Sequence, residues 1–233
     1  MGQTDTENVL EKLTYDYYHD YLLKGKPRNE AINLIARCNV VAADRDNDEI
    51  RFEALMMVLQ LAEDMPSEDS MRIWCHATDR LIAGYINSPN ICRVFEDYSI
   101  LSPGLRLKAD QYMEHVIENT ESAAAVAGCH YAKLSEFLVR EQYGGGLTSE
   151  ERISTIEKLC ALRESYGREL NPNPRLHFGL TFAEVAESDI FELENLRVGA
   201  IAPDIDGEDA EGVRFRLSDY TGNVVLLKFW GDW

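Results

Sequence analysis

The chain lacks most of the short patterns through which a sequence announces its chemistry. Its five cysteines, Cys38, Cys75, Cys92, Cys129 and Cys160, form no C-x-x-C and no zinc spacing. That excludes a dithiol centre or a zinc knot built from these residues, and it leaves reduced thiols within helical patterns as the expectation. No apolar run approaches the length of about 18 residues needed to cross a bilayer. The opening MGQTDTENVLEK has neither the basic nor the apolar part of a secretory leader. The expectation is a soluble, cytoplasmic chain as written, or an exported one if a leader stands outside this sequence. Basic residues are scarce, 23 Lys and Arg against 41 Asp and Glu, for a net charge of −18. A field of that sign repels phosphate backbones and anionic lipid, so neither nucleic acid nor a membrane surface is an expected partner.

Catalytic spacings are missing as well. The histidines are His19, His76, His115, His130 and His177, and none opens or closes an H-E-x-x-H. A di-iron bundle needs two carboxylate-x-x-His units on facing helices, and only Asp16 with His19 fits. His115 stands beside Glu114 and Glu118, the pattern of a solvated charged face. Cys75-His76 and Cys129-His130 are adjacent as text, but neighbours on a helix do not face each other, so neither pair is a thiol–imidazole dyad. Gly144, Gly145 and Gly146 lack the Lys-Ser/Thr of a phosphate loop and read as a hinge or loop. No metal and no cofactor is expected.

What is present is helix. Thr4 to Glu7 forms a capping box, followed by Leu10, Leu13, Tyr17 and Tyr21 at helical spacing until Gly25 and Pro27. A second helix from about Asn29 is expected to turn Ala31, Ile32, Ile35 and Ala36 inward, as far as the polar break at Asp44 to Asp48. A third carries Ile50, Ala54, Met57, Val58 and Leu61 on one stripe. Ser67 caps a fourth, with Met71, Trp74, Thr78, Leu81, Ile82 and Tyr85 inward. Ser88-Pro89 and Ser102-Pro103 each place a cap before a proline at the first helical position. After the second of these come Leu105, Ala109, Tyr112, Met113, Val116 and Ile117. A further helix holds Ala124, Ala127, Tyr131, Leu134 and Leu138. Thr148 to Glu151 is a second capping box, opening a helix with Ile153, Ile156, Leu159 and Cys160 inward. Asn171 to Pro174 is a loop, and Thr181 to Glu184 is a third capping box for a helix through about Leu193.

The fold class is therefore mainly α. Helix starts near 5, 29, 47, 67, 89, 103, 121 and 148 repeat as hairpins at roughly 35 to 40 residues, close to tetratricopeptide pitch without that repeat's signature. An array over residues 1–195, solenoid or bundle, is expected. Tyr15, Tyr17, Tyr18 and Tyr21 cannot all face one core. Either the first helix covers the end of the array, or some of them line a groove for a protein partner.

The pattern changes at about Leu196. Val213, Phe215 and Leu217 alternate with Arg214 and Arg216, as in a half-buried strand, between turns at Asp209 to Gly212 and Ser218 to Gly222. Val224 to Leu227 form a continuous aliphatic run, followed by Lys228, Phe229 and Trp230, the composition of a central strand buried on both faces.

Three pieces of this segment, V-G-A-I-A-P-D (Val198 to Asp204), D-A-E-G-V-R-F-R-L-S-D-Y (Asp209 to Tyr220) and T-G-N-V-V-L-L-K-F-W-G-D-W (Thr221 to Trp233), carry a resemblance. Residues 197–233 resemble the start of a thioredoxin-like domain of the redoxin class, which includes alkyl hydroperoxide reductase and TlpA-type thiol-disulfide oxidoreductases. The resemblance implies the first strands of an α/β domain over residues 196–233, and redox or antioxidant chemistry on a substrate disulfide or peroxide with electrons from a thiol partner. In TlpA-like members the W-x-x-W is followed directly by C-x-x-C, so Trp230, Gly231, Asp232 and Trp233 would lie beside the redox site. The two cysteines are not among these residues, so no catalytic residue is assigned. A different expectation, a helical interaction module without catalysis, stands beside the redox one.

Overall fold

A computed structural model describes residues 3–43, 47–173 and 179–228, with side chains from residue 9 onward. The architecture is mainly α, with one two-stranded sheet among the described residues. Helix α1 (Gln3–Asp16) runs into a single wide π turn, Tyr17–Leu22. Then come α2 (Arg28–Val41), α3 (Asp48–Glu63) and α4 (Ser67–Tyr85). Two short 3-10 helices, Pro89–Phe95 and Tyr98–Ile100, lead to α5 (Pro103–Asn119), α6 (Ala123–Gln142), α7 (Ser149–Tyr166) and α8 (Phe182–Asn195). Each helix packs on the next in sequence, which is the arrangement of an array.

The helix ends follow local chemistry. Thr148 and Thr181 each accept from the amide three residues on, and Glu151 and Glu184 reach back to the cap amides, so both capping boxes form as expected. Ser102 caps α5 through the Leu105 amide. Ser88 also caps as expected, but the helix it opens is 3-10 rather than α. Ser67 makes no cap, because the chain enters α4 one residue earlier, at Pro66. The first capping box, Thr4 to Glu7, has side chains outside the described residues. Asn47 caps α3 through the Glu49 and Ile50 amides.

Two apolar clusters share one helix. The first gathers α1 to α5 with both 3-10 helices, around Leu13, Tyr21, Leu34, Leu61, Trp74, Leu81, Phe95 and Met113. The second joins α6, α7 and α8 through Tyr131, Leu134, Leu159, Leu162, Phe182 and Val185. Helix α6 sends Ala125, Cys129 and Ala132 into the first and Ala127, Tyr131 and Leu134 into the second. Gly128 sits between them, with Cys92 pressed against its Cα where a side chain would be.

Three expected faces are corrected by the packing. In α2 the buried residues are Ala31, Leu34 and Cys38, whereas Ile32 and Ala36 are exposed. The segment is apolar on more than one side, and the position of α3 decides which side is covered. In α7, Ile153 points to solvent and Thr155, Leu159 and Leu162 face in. Helix α3 is buried on nearly its whole circumference, with Phe52, Leu55, Met56, Leu59 and Ala62 as enclosed as the expected stripe.

Candidate functional site

The C-terminal segment builds its own local geometry. Strands β1 (Asp206–Glu208) and β2 (Arg214–Arg216) pair antiparallel, with Gly207 opposite Phe215. The Asp209 carboxylate accepts from the Glu211 and Val213 amides, at 3.0 and 2.8 Å, and Gly212 takes φ 78°, which closes the hairpin turn. Upstream, both carboxylate oxygens of Asp204 are used at 2.9 Å, one by the Ser218 amide and one by its hydroxyl. Those two bonds hold the Asp204 carboxyl below its ordinary value. Phe215 meets Tyr220 edge-on, ring centres 6.4 Å apart. The Asp–Gly–Ser pattern that marks the turns in the sequence is thus the pattern that makes these bonds.

The rest of the segment finds no core. From Leu196 to Lys228 no residue is buried, and Val198, Ile201, Val224 and Leu226 are almost fully exposed. Val224 to Leu227, expected as a central strand, forms no strand, because no described strand lies beside it to take its hydrogen bonds. Trp230, Gly231, Asp232 and Trp233, the residues beside the redox site in the family pattern, lie outside the described residues, as does Phe229.

All five thiols are free. Burial pushes Cys38 and Cys92 up to about 12, and raises Cys75 and Cys129 too. At neutral pH a thiol with its pKa at about 12 is ionised in only about one molecule in 100,000, so Cys38 and Cys92 are packing elements rather than nucleophiles. Cys75 Sγ lies 3.8 Å from Met71 Sδ, not on His76, and His130 stacks on Tyr166. Asp16, the carboxylate of the lone Asp-x-x-His, is buried and paired with Arg37 at 2.6 Å, while His19 stacks on Tyr15. Among the described residues no three His, Cys, Asp or Glu side chains converge as a metal site. His177 lies outside them.

The tyrosines of the first helix divide. Tyr21 is in the core and donates to Asp64 at 3.0 Å, Tyr17 is half-buried, and Tyr15 and Tyr18 are exposed. Tyr17 and Tyr18 line a groove of about 210 Å³ with Met56, Met57 and the Glu53–Arg93 pair. A larger groove of about 500 Å³ lies between α2, α3 and α4, lined by Ile32, Ile35, Met65, Ile73 and His76.

One polar pair escaped the reading of motifs. Tyr131 of α6 donates to buried Asp189 of α8 at 2.9 Å. The signal was available: Asp189 stands at the helical spacing of Val185 and Leu193, a carboxylate on an apolar stripe.

With the hairpin in view, likeness to other proteins can be placed. A 36-residue stretch is 53% identical to the thiol-disulfide oxidoreductase ResA of Geobacillus thermodenitrificans (strain NG80-2). The same length and identity relate it to ResA of Geobacillus kaustophilus (strain HTA426). The stretch is 16% of this chain and 21% of each relative, so the chain spans about a fifth of the length of the curated relatives it matches. No family model matches the chain, and no solved structure does. Among the described residues no helix is long and apolar enough to cross a membrane.

Proposed function

We propose that this chain belongs to a thiol-disulfide oxidoreductase of redoxin type, in which a helical array over residues 1–195 precedes the first strands of a thioredoxin-like domain. The observation that carries this reading is the 53% identity over 36 residues with the two ResA proteins. The hairpin closed by Asp209 and tied down by Asp204 supports it, since those residues fall within the family-like pieces. In such a fold the strand from Val224 onward delivers a C-x-x-C pair to the N-terminus of a helix. Exposed amides and the helix dipole there stabilise the first sulfur as a thiolate, which attacks a substrate disulfide, and the second cysteine resolves the mixed disulfide. Trp230 and Trp233 would flank that site.

The five thiols of residues 1–195, three of them buried, play no part in this chemistry. The test is turnover of insulin disulfides or peroxide with a thiol reductant. The chain of residues 1–233 is expected to be inactive. A chain continued through C-x-x-C and the remainder of a thioredoxin-like fold is expected to be active, and to stay so when Cys38, Cys75, Cys92, Cys129 and Cys160 are replaced by Ser or Ala in folded variants. Activity in the unextended chain, abolished by one of those five replacements without unfolding, would sink the reading. The groove between α2, α3 and α4, with Ile32 exposed on its rim, favours a second reading, a helical module that works by binding. That reading takes over if the continued chain folds and turns over neither substrate.

A further inference from the structure

Between α6 and α8 a carboxyl group sits where no described residue pairs a cation with it. Asp189 lies on the stripe that α8 turns toward the second apolar cluster, with Val185, Ala186 and Leu193, and it is only 7% exposed. From α6 the group that faces it is Tyr131, whose hydroxyl donates to Oδ2 at 2.9 Å. From α8 itself Glu192 adds negative charge. Helix α7 also packs on α8, but its Arg163 goes to Glu187, at 3.9 Å and in reach of solvent. Among the described residues no cation is paired with Asp189. A desolvated carboxylate with a single donor and a second acid nearby is costly, whereas the protonated carboxyl is a neutral group with its hydrogen bond made.

We propose that α8 is a proton-controlled latch, held on α6 while Asp189 is protonated and loosened when it ionises. Helix α8 is the last helix before the exposed segment of residues 196–228, so the latch sets how firmly that segment is tied to the array. The inference stands on the α6–α8 interface and is independent of the redox reading.

The direction follows from proton counting. Desolvation, opposed by the Tyr131 hydrogen bond, pushes the Asp189 carboxyl from 3.8 up to about 7. An opened α8 returns the group to water and to its ordinary value. Below about 4 both forms carry the proton and the docked form has its full advantage. Between about 4 and about 7 the docked form holds a proton that the open form has released, so each step of one pH unit favours opening by about tenfold. Above that range both forms are ionised and the balance is level.

The experiment is amide hydrogen exchange on the full chain between pH 5 and pH 8, with protection corrected for the intrinsic pH dependence of exchange. Peptides covering residues 182–195 are compared with those of α3, residues 48–63. Protection of α8 relative to α3 is expected to fall about 50-fold from pH 5 to pH 7 and to level off above it. In Asp189→Asn, which keeps an acceptor for Tyr131 and cannot ionise, the ratio is expected to be flat. A flat ratio in the parent, or the same slope in parent and variant, overturns the proposal. If Asp189→Asn does not fold, the carboxyl carbon shift of Asp189 in the parent decides: a midpoint above about 5.5 supports the latch and a lower one overturns it.

Discussion

Replacing Gly128 by Ala tests the idea that α6 is a wall shared by two clusters. In an exposed helix the change would stabilise, since Ala exceeds Gly by about 1 kcal/mol in helix propensity. Here the new Cβ would stand 2.2 Å from Cys92 Sγ and 2.6 Å from Cys92 Cβ. Non-bonded heavy atoms settle at about 3.5–4.0 Å, so an overlap of roughly 1.5 Å must be absorbed. Neither side yields cheaply: Cys92 is buried on a short 3-10 helix, and its Sγ also meets the Pro89 carbonyl at 3.3 Å. Overpacking of this kind costs about 1–3 kcal/mol and this overlap belongs at the upper end, so the net loss is about 2 kcal/mol after the propensity gain. In a protein of this size that lowers the melting temperature by about 4–8 °C. A thermal melt followed by far-ultraviolet circular dichroism reads it directly. Cys92→Ala in the same background removes the nearer atom, so the double variant should recover at least about 1 kcal/mol relative to the sum of the single changes. The reasoning fails if Gly128→Ala melts at or above the parent, or if the two changes simply add.

A chain ending at Asn195 should keep its helical dichroism and a cooperative melt within about 2 °C of the parent, because no residue from Leu196 to Lys228 is buried. Loss of the transition would mean that the segment belongs to the core. Thr148→Ala and Thr181→Ala each remove a cap that is formed on both sides, and each should cost about 1 kcal/mol in urea unfolding, with an unchanged midpoint counting against the caps. Limited proteolysis should cut first between residues 196 and 228, and early cuts within α3 or α6 would contradict the burial pattern.

What could be read from the sequence was mostly what is decided within a few residues. The two described capping boxes, the Ser102 cap and the hairpin turn at Asp209 all depend on side chains reaching amides two to four positions away. Those were legible because the chain itself supplies both partners. The inward face of α2 was not, since Ile32 and Leu34 are equally apolar and only the position of α3 separates them. The enclosure of α3 was hidden for the same reason: a helix apolar on several sides can be half-covered or fully covered, and its neighbours decide. Val224 to Leu227 has the composition of a strand, but a strand is a relation between two segments, and no described segment pairs with this one. The Asp189–Tyr131 pair required two helices 58 positions apart to meet. The carboxylate could be placed on the apolar stripe, but its partner could not.

The burial of α3 bears on how this sequence can vary. Of its residues only Asp48 and Glu49, in the first turn, are exposed. Substitution at its ten buried positions must conserve volume to within a methylene or so, because each of them has neighbours packed around it. Helix α7, with several charged positions in water, accepts change freely by comparison. A deep substitution scan should therefore show α3 and the two-sided α6 as intolerant and α7 as permissive, and lineages that diverge should keep α3 recognisable after the surface charges have been rewritten.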